Sequence, residues 1–285
     1  MSLLSALRPT YIERPVLDLS GDTIRMTMQT LVAGSEELGG IERYVDAIKL
    51  KSALFQQALG DGAIEDLELE TFKGLCTFMA TVRRRIGNWL DEDSFADLRE
   101  GIIELFADDE NIDARINAFC ARFPIDKQHR WVRDLATEML HNADPERIPL
   151  MNRWVWDAAA NTGVIREIWH GDDVDHIRIP VGDGYGTYLM LREELSQFLS
   201  DEGFFRDVLQ YVDILCAQVY AQYICEQGGS YLRTDFSAPE DPMQHTRRLL
   251  GLDGVQPGNG KTRLKSIDGE AFVIDDSNPL IQAKN

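Results

Sequence analysis

The sequence predicts a mainly α-helical protein, a multi-helix globular bundle with a short β-hairpin insertion and an irregular C-terminal tail. Across residues 37–229 the apolar residues recur at spacings of three and four, which is the period of an amphipathic helix. Short links rich in glycine or proline separate these runs. The hydrophobic fraction of 44% and the charged fraction of 27% are those of ordinary folded proteins, so we expect a globular body.

The body, residues 37–229, is expected to contain roughly eight helices. The first covers residues 41–59 and ends where glycines follow, and a later one begins at the N-cap candidate Asp126. The helix over residues 204–226 is apolar on most of its circumference, so we expect it at the centre of the core. The other predicted helices cover residues 67–90, 94–107, 111–123, 149–170 with a break near 161–163, and 191–199.

The two ends and one insertion depart from the helical pattern. The N-terminal arm, residues 1–36, is predicted to be irregular, although residues 23–30 would fit a short strand or an early helix. Alternating apolar and polar residues followed by a glycine-rich turn predict a short β hairpin near residues 176–190. The C-terminal tail, residues 230–285, is rich in Pro, Gly, Asp and Asn, and alternation at residues 270–274 suggests a second hairpin.

The chain carries 29 basic and 48 acidic residues, which gives a net charge of −19. This charge opposes attraction to phosphate backbones and anionic lipids, so it disfavours nucleic acid and membranes as partners. The four cysteines are scattered without metal-ligand spacing, and we expect them to be buried thiols in a reducing compartment. Because no targeting segment or apolar membrane span is recognised, we expect a cytoplasmic protein.

Two Glu-x-x-His pairs suggest a divalent metal site. Each pair would place a carboxylate and an imidazole on one helical face, which resembles half of the ligand pattern of carboxylate-bridged di-iron bundles. The acidic loop between His170 and His176 also suits a divalent cation by ligand type. The alternative is surface carboxylates and half-buried histidines near helix ends. The residues assigned to metal are Glu138, His141, Glu167, His170 and His176.

Four further residues suggest a ligand-binding site. Arg153, Trp154, Trp156 and Trp169 could clamp a planar ring, because indole faces pair with planar ligands and with guanidinium groups. Trp154 and Trp156 are two residues apart, so on a helix they would face different directions. We therefore expect one of them in the core and the other free for a ligand or a partner, with core packing as the default for both.

One resemblance to a known family rests on Leu150, Arg153, Trp154 and Asp157, followed by Ile-Pro-Val-Gly-Asp at residues 179–183. These residues are similar to a segment of helical proteins of the helix-hairpin-helix base-excision type. Residues 252–255 with 260–262 resemble the hairpin of that superfamily, but with an insertion and in the wrong order relative to the first segment. The resemblance implies that Asp183 acts on a flipped nucleotide whose base stacks on aromatic side chains.

No complete catalytic motif is recognised in the chain, and three classes of function stay open. The leading expectation is an accessory or regulatory protein whose acidic surface contacts another protein. The alternatives are a helix-hairpin-helix-like nucleic-acid or nucleobase-processing enzyme centred on Asp183, and a metal-dependent helical enzyme that uses the Glu-x-x-His pairs.

Overall fold

The computed structural model describes residue 12 and residues 14–36, 39–60, 62–87, 90–107, 111–171, 174–231, 242–252, 262–265 and 271–274. Within these ranges the protein is mainly α-helical, which confirms the predicted class. The helices are α1 Gly21–Glu36, α2 Glu42–Leu59, α3 Leu69–Cys76, α4 Glu92–Leu105, α5 Ile112–Cys120, α6 Trp131–Ala143, α7 Val164–Glu167, α8 Tyr185–Asp201, α9 Val208–Tyr231 and α10 Pro242–Leu249.

Two short 3₁₀ turns and two short strands complete the described elements. The 3₁₀ turns are Ala63–Asp66 and Val174–His176. Strands β1, Thr262–Lys265, and β2, Ala271–Ile274, pair antiparallel with Thr262 opposite Ile274. None of the described helices is both long and apolar enough to cross a membrane.

Helix α9 is the central element of the fold, as its continuous apolar character predicts. It packs against α1, α2, α7, α8 and α10. Ile214, Leu215 and Ala217 on α9 are fully buried. A second layer forms where α6 packs on α2 and α5, and α5 in turn packs on α4. Helices α2, α6 and α9 therefore meet around one interior region.

The predicted β hairpin near residues 176–190 is wrong. Residues 177–184 are extended but form no strand, and α8 begins at Tyr185. Ile179 and Val181 are buried at alternate positions, so the sequence alternation reports an extended segment lying on the helical body. Side chains replace the partner strand, because Asn161 Oδ1 accepts from the Ile179 amide at 2.9 Å and Trp156 Nε1 donates to the Val181 carbonyl at 3.2 Å.

The helix predicted over residues 67–90 is shorter than expected. Helix α3 ends at Cys76, and the chain continues in tight turns through residue 87. The Thr77 hydroxyl donates to the Gly74 carbonyl at 2.6 Å, a local bond that competes with the helical backbone ladder. Met79, Val82 and Ile86 remain fully buried, since turns repeat nearly the same period as a helix.

Both ends of the chain contain helix, although the tail was predicted to be irregular and an early helix over residues 23–30 was one of two alternatives for part of the arm. The second half of the arm, residues 1–36, forms α1, and residues 14–20 run along the body. There the Ser20 amide donates to the Ile168 carbonyl, and the His170 amide donates to the Asp18 carbonyl, both at 2.8 Å. In the tail, α10 packs on α9. Residues 253–261, 266–270 and 275–285 lie outside the described residues, as does most of the predicted base-excision hairpin.

Candidate functional site

The segment between α6 and α7 is a compact loop rather than the predicted helix, and it builds one side of the candidate site. Asp157 and Thr162 exchange two backbone hydrogen bonds, which closes the loop over residues 157–162. Asn161 at φ 55° and Gly163 at φ 124° adopt backbone conformations that reverse the chain direction. A side chain at Gly163 would lie 2.7 Å from the Val155 carbonyl, so this close return requires glycine.

An open cleft of about 270 Å³ lies beside this loop, and we call it the arginine cleft. Four segments line it: the turns after α3, the start of α6, the loop and α9. The lining residues are Thr81, Arg85, Arg130, Asp134, Arg153, Trp154, Asp157, Ala160, Thr162 and Tyr220.

The cleft contains more positive than negative charge, although the whole chain carries −19. Arg153 is fixed by Asp134, with Nη2 2.8 Å from Oδ2, and Asp134 is only 1% exposed. Arg130 lies 3.6 Å from Asp157, which is too long for a strong hydrogen bond. The Arg85 guanidinium is exposed and has no ion-pair partner within the described part of the chain. One guanidinium is therefore unmatched by a carboxylate of the cleft.

Two buried hydrogen-bond donors of the cleft are unpaired. The Trp154 indole Nε1 and the Thr81 hydroxyl each lack a hydrogen-bond partner among the described residues. Trp154 is only 6% exposed. Burying a donor without an acceptor costs about 1–3 kcal/mol. Both atoms are inaccessible to solvent, so they do not face the open cleft.

Two aromatic residues, Trp154 and Tyr220, border the cleft. The Trp154 and Tyr220 ring centroids lie 6.0 Å apart at an interplanar angle of 35°, and Tyr223 continues the row 5.7 Å from Tyr220. Burial raises the pKa of the Tyr220 hydroxyl, and Tyr223 raises it further. Tyr220 is therefore neutral at physiological pH.

A second cluster of charged groups lies in the interior where α2, α6 and α9 meet, and we call it the buried quartet: Lys51, Glu138, His141 and Asp213. Lys51 Nζ lies 2.9 Å from Glu138 Oε2, with the two side chains 5% and 2% exposed. Lys51 also donates to the Leu250 carbonyl at 3.0 Å, just beyond α10. The adjoining cavity has a volume of about 10 Å³, enough for one water molecule.

The contacts of His141 favour its doubly protonated form. Its Nε2 lies 3.1 Å from Asp213 Oδ2, and its Nδ1 lies 2.8 Å from the Ile148 carbonyl oxygen. When Asp213 is ionised, both nitrogens face acceptors, and both can donate only in the doubly protonated form. Burial by itself lowers the pKa of His141, but the Asp213 carboxylate and the Ile148 carbonyl outweigh it, and the pKa is raised. The quartet then contains two cations and two anions.

The quartet includes one of the two predicted Glu-x-x-His pairs. Glu138 and His141 do share a face of α6, but Lys51 occupies the carboxylate and Asp213 occupies the imidazole. The other residues assigned to metal, Glu167, His170 and His176, do not line the quartet's cavity. Among the described residues no three His, Cys, Asp or Glu side chains are grouped to hold a metal ion. Asp172 and Asp173 of the acidic loop lie outside the described residues.

The predicted ligand-binding residues divide between the cleft and the core. Arg153 and Trp154 line the arginine cleft. Trp156 is fully buried and bonded to Val181, and Trp169 packs against the core beside the N-terminal segment. Asp183 is half-buried, and its carbonyl accepts from Arg133 Nη2 at 2.7 Å. It is not among the residues that line the cleft.

Lys51 and Arg85 also stand out in the sequence. Lys51 lies on the buried stripe of α2, three residues after Ile48 and four before Phe55, so a charged partner in the core was to be expected there. Arg85 belongs to a basic run at residues 83–85, and such a run is more often a solvated surface than a binding site. Tyr220 carried no such signal, because an aromatic residue on a buried helix looks the same in the core and in a cleft wall.

Comparison of the chain with protein-family models, with curated proteins and with solved structures gives no match.

Proposed function

We propose that the protein is a ligand-binding protein and that the arginine cleft binds a small molecule carrying an oxyanion. The observation that carries this proposal is the unmatched guanidinium of Arg85 in a cleft that also holds Arg130 and Arg153. An oxyanion accepts hydrogen bonds from guanidinium groups. Guanidinium binds carboxylates and phosphates through two parallel hydrogen bonds, which adds orientation to charge attraction.

The fixed parts of the cleft support this proposal. Arg153 is held by two hydrogen bonds from its side chain to Asp134 and one from its amide. A cation that is already ordered loses little entropy when a ligand arrives.

A matched pair of variants tests the proposal. Arg85→Gln removes the unmatched cation, whereas Arg84→Gln removes an exposed arginine that does not line the cleft. Calorimetric titration with phosphate, sulfate and short carboxylates at constant ionic strength should give binding that Arg85→Gln weakens about ten- to a hundredfold. Equal effects of the two variants, or no binding of any anion by the parent protein, would overturn the proposal.

A second candidate function is association with another protein, in an accessory or regulatory role. The observation that favours it is a set of large apolar side chains left in solvent, together with the net charge of −19. The most exposed are Val16, Met26, Ile125 and Phe205. Affinity purification from the native host, compared between the parent and Phe205→Ser, tests it. A monomer without a stable partner in both preparations would count against it.

A further inference from the structure

We infer that α10 and residues 250–252 form a releasable lid over the buried quartet, which we call the α10 lid. Opening of this lid admits solvent to Lys51 and Glu138 while the rest of the helical body stays folded. No described residue lines both the quartet's cavity and the arginine cleft, so the lid is independent of the proposed anion site.

The α10 lid forms one wall of the quartet's cavity. Leu249 and Leu250 line the cavity, and the Leu250 carbonyl accepts a hydrogen bond from Lys51 Nζ at 3.0 Å. The other walls come mainly from α2, α6 and α9, and α2 packs on both of the other two helices. Because α2 holds these three helices together, departure of the lid opens the quartet and leaves its other walls in place.

The α10 lid is one structural unit. Gly251, at φ +72°, follows the helix, and its amide donates to the Arg248 carbonyl at 3.0 Å. The Leu252 amide donates to the Arg247 carbonyl at 2.7 Å. These two bonds form a Schellman motif, which closes a helix C-terminus around a left-handed glycine. Because the motif ties the end of the lid to α10, the Leu250 carbonyl leaves the quartet when α10 leaves α9.

A small set of buried side chains anchors the α10 lid. Met243, Leu250 and Leu252 are almost fully buried. The Thr246 hydroxyl donates to Gln218 Oε1 on α9 at 2.7 Å. Helix α10 has only eight residues, and an isolated helix of that length is not stable in water. Loss of these contacts therefore releases the lid as a whole, a local opening that needs less free energy than global unfolding.

The buried charges under the lid oppose its closed state. Lys51 and Glu138 are almost completely removed from water when the lid is closed. The desolvation penalty of a buried ion pair can exceed the attraction between its partners. Opening of the lid hydrates both ions, and this hydration offsets part of the apolar contact that is lost. A lid over an apolar cavity would have no such compensation, so the quartet makes opening accessible under native conditions.

Two lysines on α2 provide the test. The Lys49 side chain is 45% exposed, whereas that of Lys51 is 5% exposed. The folded parent protein is acetylated with N-hydroxysuccinimidyl acetate, and mass spectrometry follows each lysine. Lys49 should react as in an unfolded chain. The protection of Lys51, relative to an unfolded chain, should match the protection of the α10 amides against deuterium exchange. Both should be at least about tenfold less protected than the α6 amides. Lys51 protected as strongly as the α6 amides would overturn the lid, because only global unfolding would then expose it.

Two threonines that bond to α9 offer a matched pair of variants. Thr246 in the lid donates to Gln218 at 2.7 Å, and Thr27 on α1 donates to Gln222, one helical turn further along, at 3.0 Å. Valine keeps the shape of threonine and removes the hydroxyl. Thr246→Val weakens the closed state relative to the open one, so it should speed acetylation of Lys51 about five- to a hundredfold.

The Thr27→Val control breaks a bond that is present in both the closed and the open lid. It should therefore lower the urea midpoint and speed exchange of the α6 amides, but leave acetylation of Lys51 unchanged. Equal acceleration of Lys51 by the two variants would contradict the lid, since it would tie Lys51 to unfolding of the whole body. The comparison of Lys51 with the α10 and α6 amides in the parent protein decides the matter even if a variant fails to fold.

Discussion

The Lys51–Glu138 ion pair gives the sharpest quantitative prediction for this protein. Its partners lie 2.9 Å apart, where the attraction between unit charges is about 6 kcal/mol at an effective dielectric constant of about 20. Desolvation offsets much of this attraction, but removing one partner strands the other charge in the core. Such a change costs about 3–5 kcal/mol. We therefore expect Lys51→Met to lower the free energy of unfolding by that amount.

A second lysine on the same helix provides the control. Lys49 pairs with Asp207 at 2.6 Å, but the two side chains are 45% and 40% exposed. Exposed pairs contribute about 0–1 kcal/mol, so Lys49→Met should change stability little. The double variant Lys51→Met/Glu138→Leu removes both buried charges and should recover most of the loss, although Asn152 also loses its bond to Glu138.

The assay is urea unfolding monitored by fluorescence and by circular dichroism. If the two unfolding transitions coincide, a two-state analysis applies. Equal midpoints for Lys51→Met and Lys49→Met would refute the reasoning, because they would mean that the interior does not penalise a lone Glu138 carboxylate. A double variant no more stable than Lys51→Met would also refute it. The loss would then come from packing rather than from charge.

Three further predictions concern buried contacts elsewhere in the protein and at His141. The pKa of His141 is raised in the folded protein, so its pairing with Asp213 contributes fully to stability below the unfolded pKa of about 6.5. That contribution is lost as the pH rises through the folded pKa. The urea midpoint of the parent protein should therefore fall over this pH range, and the midpoint of His141→Gln should change less. Gly251→Ala would place a Cβ against the Phe78 carbonyl oxygen at φ +72°, whereas a Cβ at Gly62, at φ +82°, would have nothing within 4 Å. Gly251→Ala should therefore lower the melting temperature well beyond the effect of Gly62→Ala, which carries only the left-handed backbone cost of about 1–2 kcal/mol, and equal losses would disprove the clash. Tyr188→Phe removes a 2.7 Å hydrogen bond to the Trp156 carbonyl and should cost about 1–3 kcal/mol in urea unfolding, and no loss would show that water replaces the hydroxyl.

The departures from the predicted elements share one physical cause. Hydrophobic periodicity reports which side of the chain faces the core, but several backbone conformations can satisfy the same pattern. Residues 177–181 alternate because Ile179 and Val181 are buried, and Asn161 and Trp156 supply the hydrogen bonds that a strand would have supplied. Residues 77–87 keep the helical stripe in a series of turns. In both cases burial was predictable and backbone pairing was not.

The candidate site was predictable in part. Arg153 and Trp154 were recognisable because tryptophan beside arginine is typical of a binding surface. Their partners in the cleft come from residues 81–85, 130–134 and 220, so no local pattern links them. The pair Glu138 and His141 was recognisable by its spacing on α6. Its partners Lys51 and Asp213 come from α2 and α9, and they turn a predicted metal-ligand pair into an internal ion network.

By itself, the sequence determined the helical class, the apolar faces of the helices and the central place of α9, because helix period and burial follow from neighbouring residues. Only the tertiary structure decided where helices give way to loops and which charges meet. An unmatched charge such as Arg85, or a matched one such as Lys51, is defined by groups tens to hundreds of residues away. Charge attraction and desolvation depend on distances in space, and the folded chain alone sets those distances.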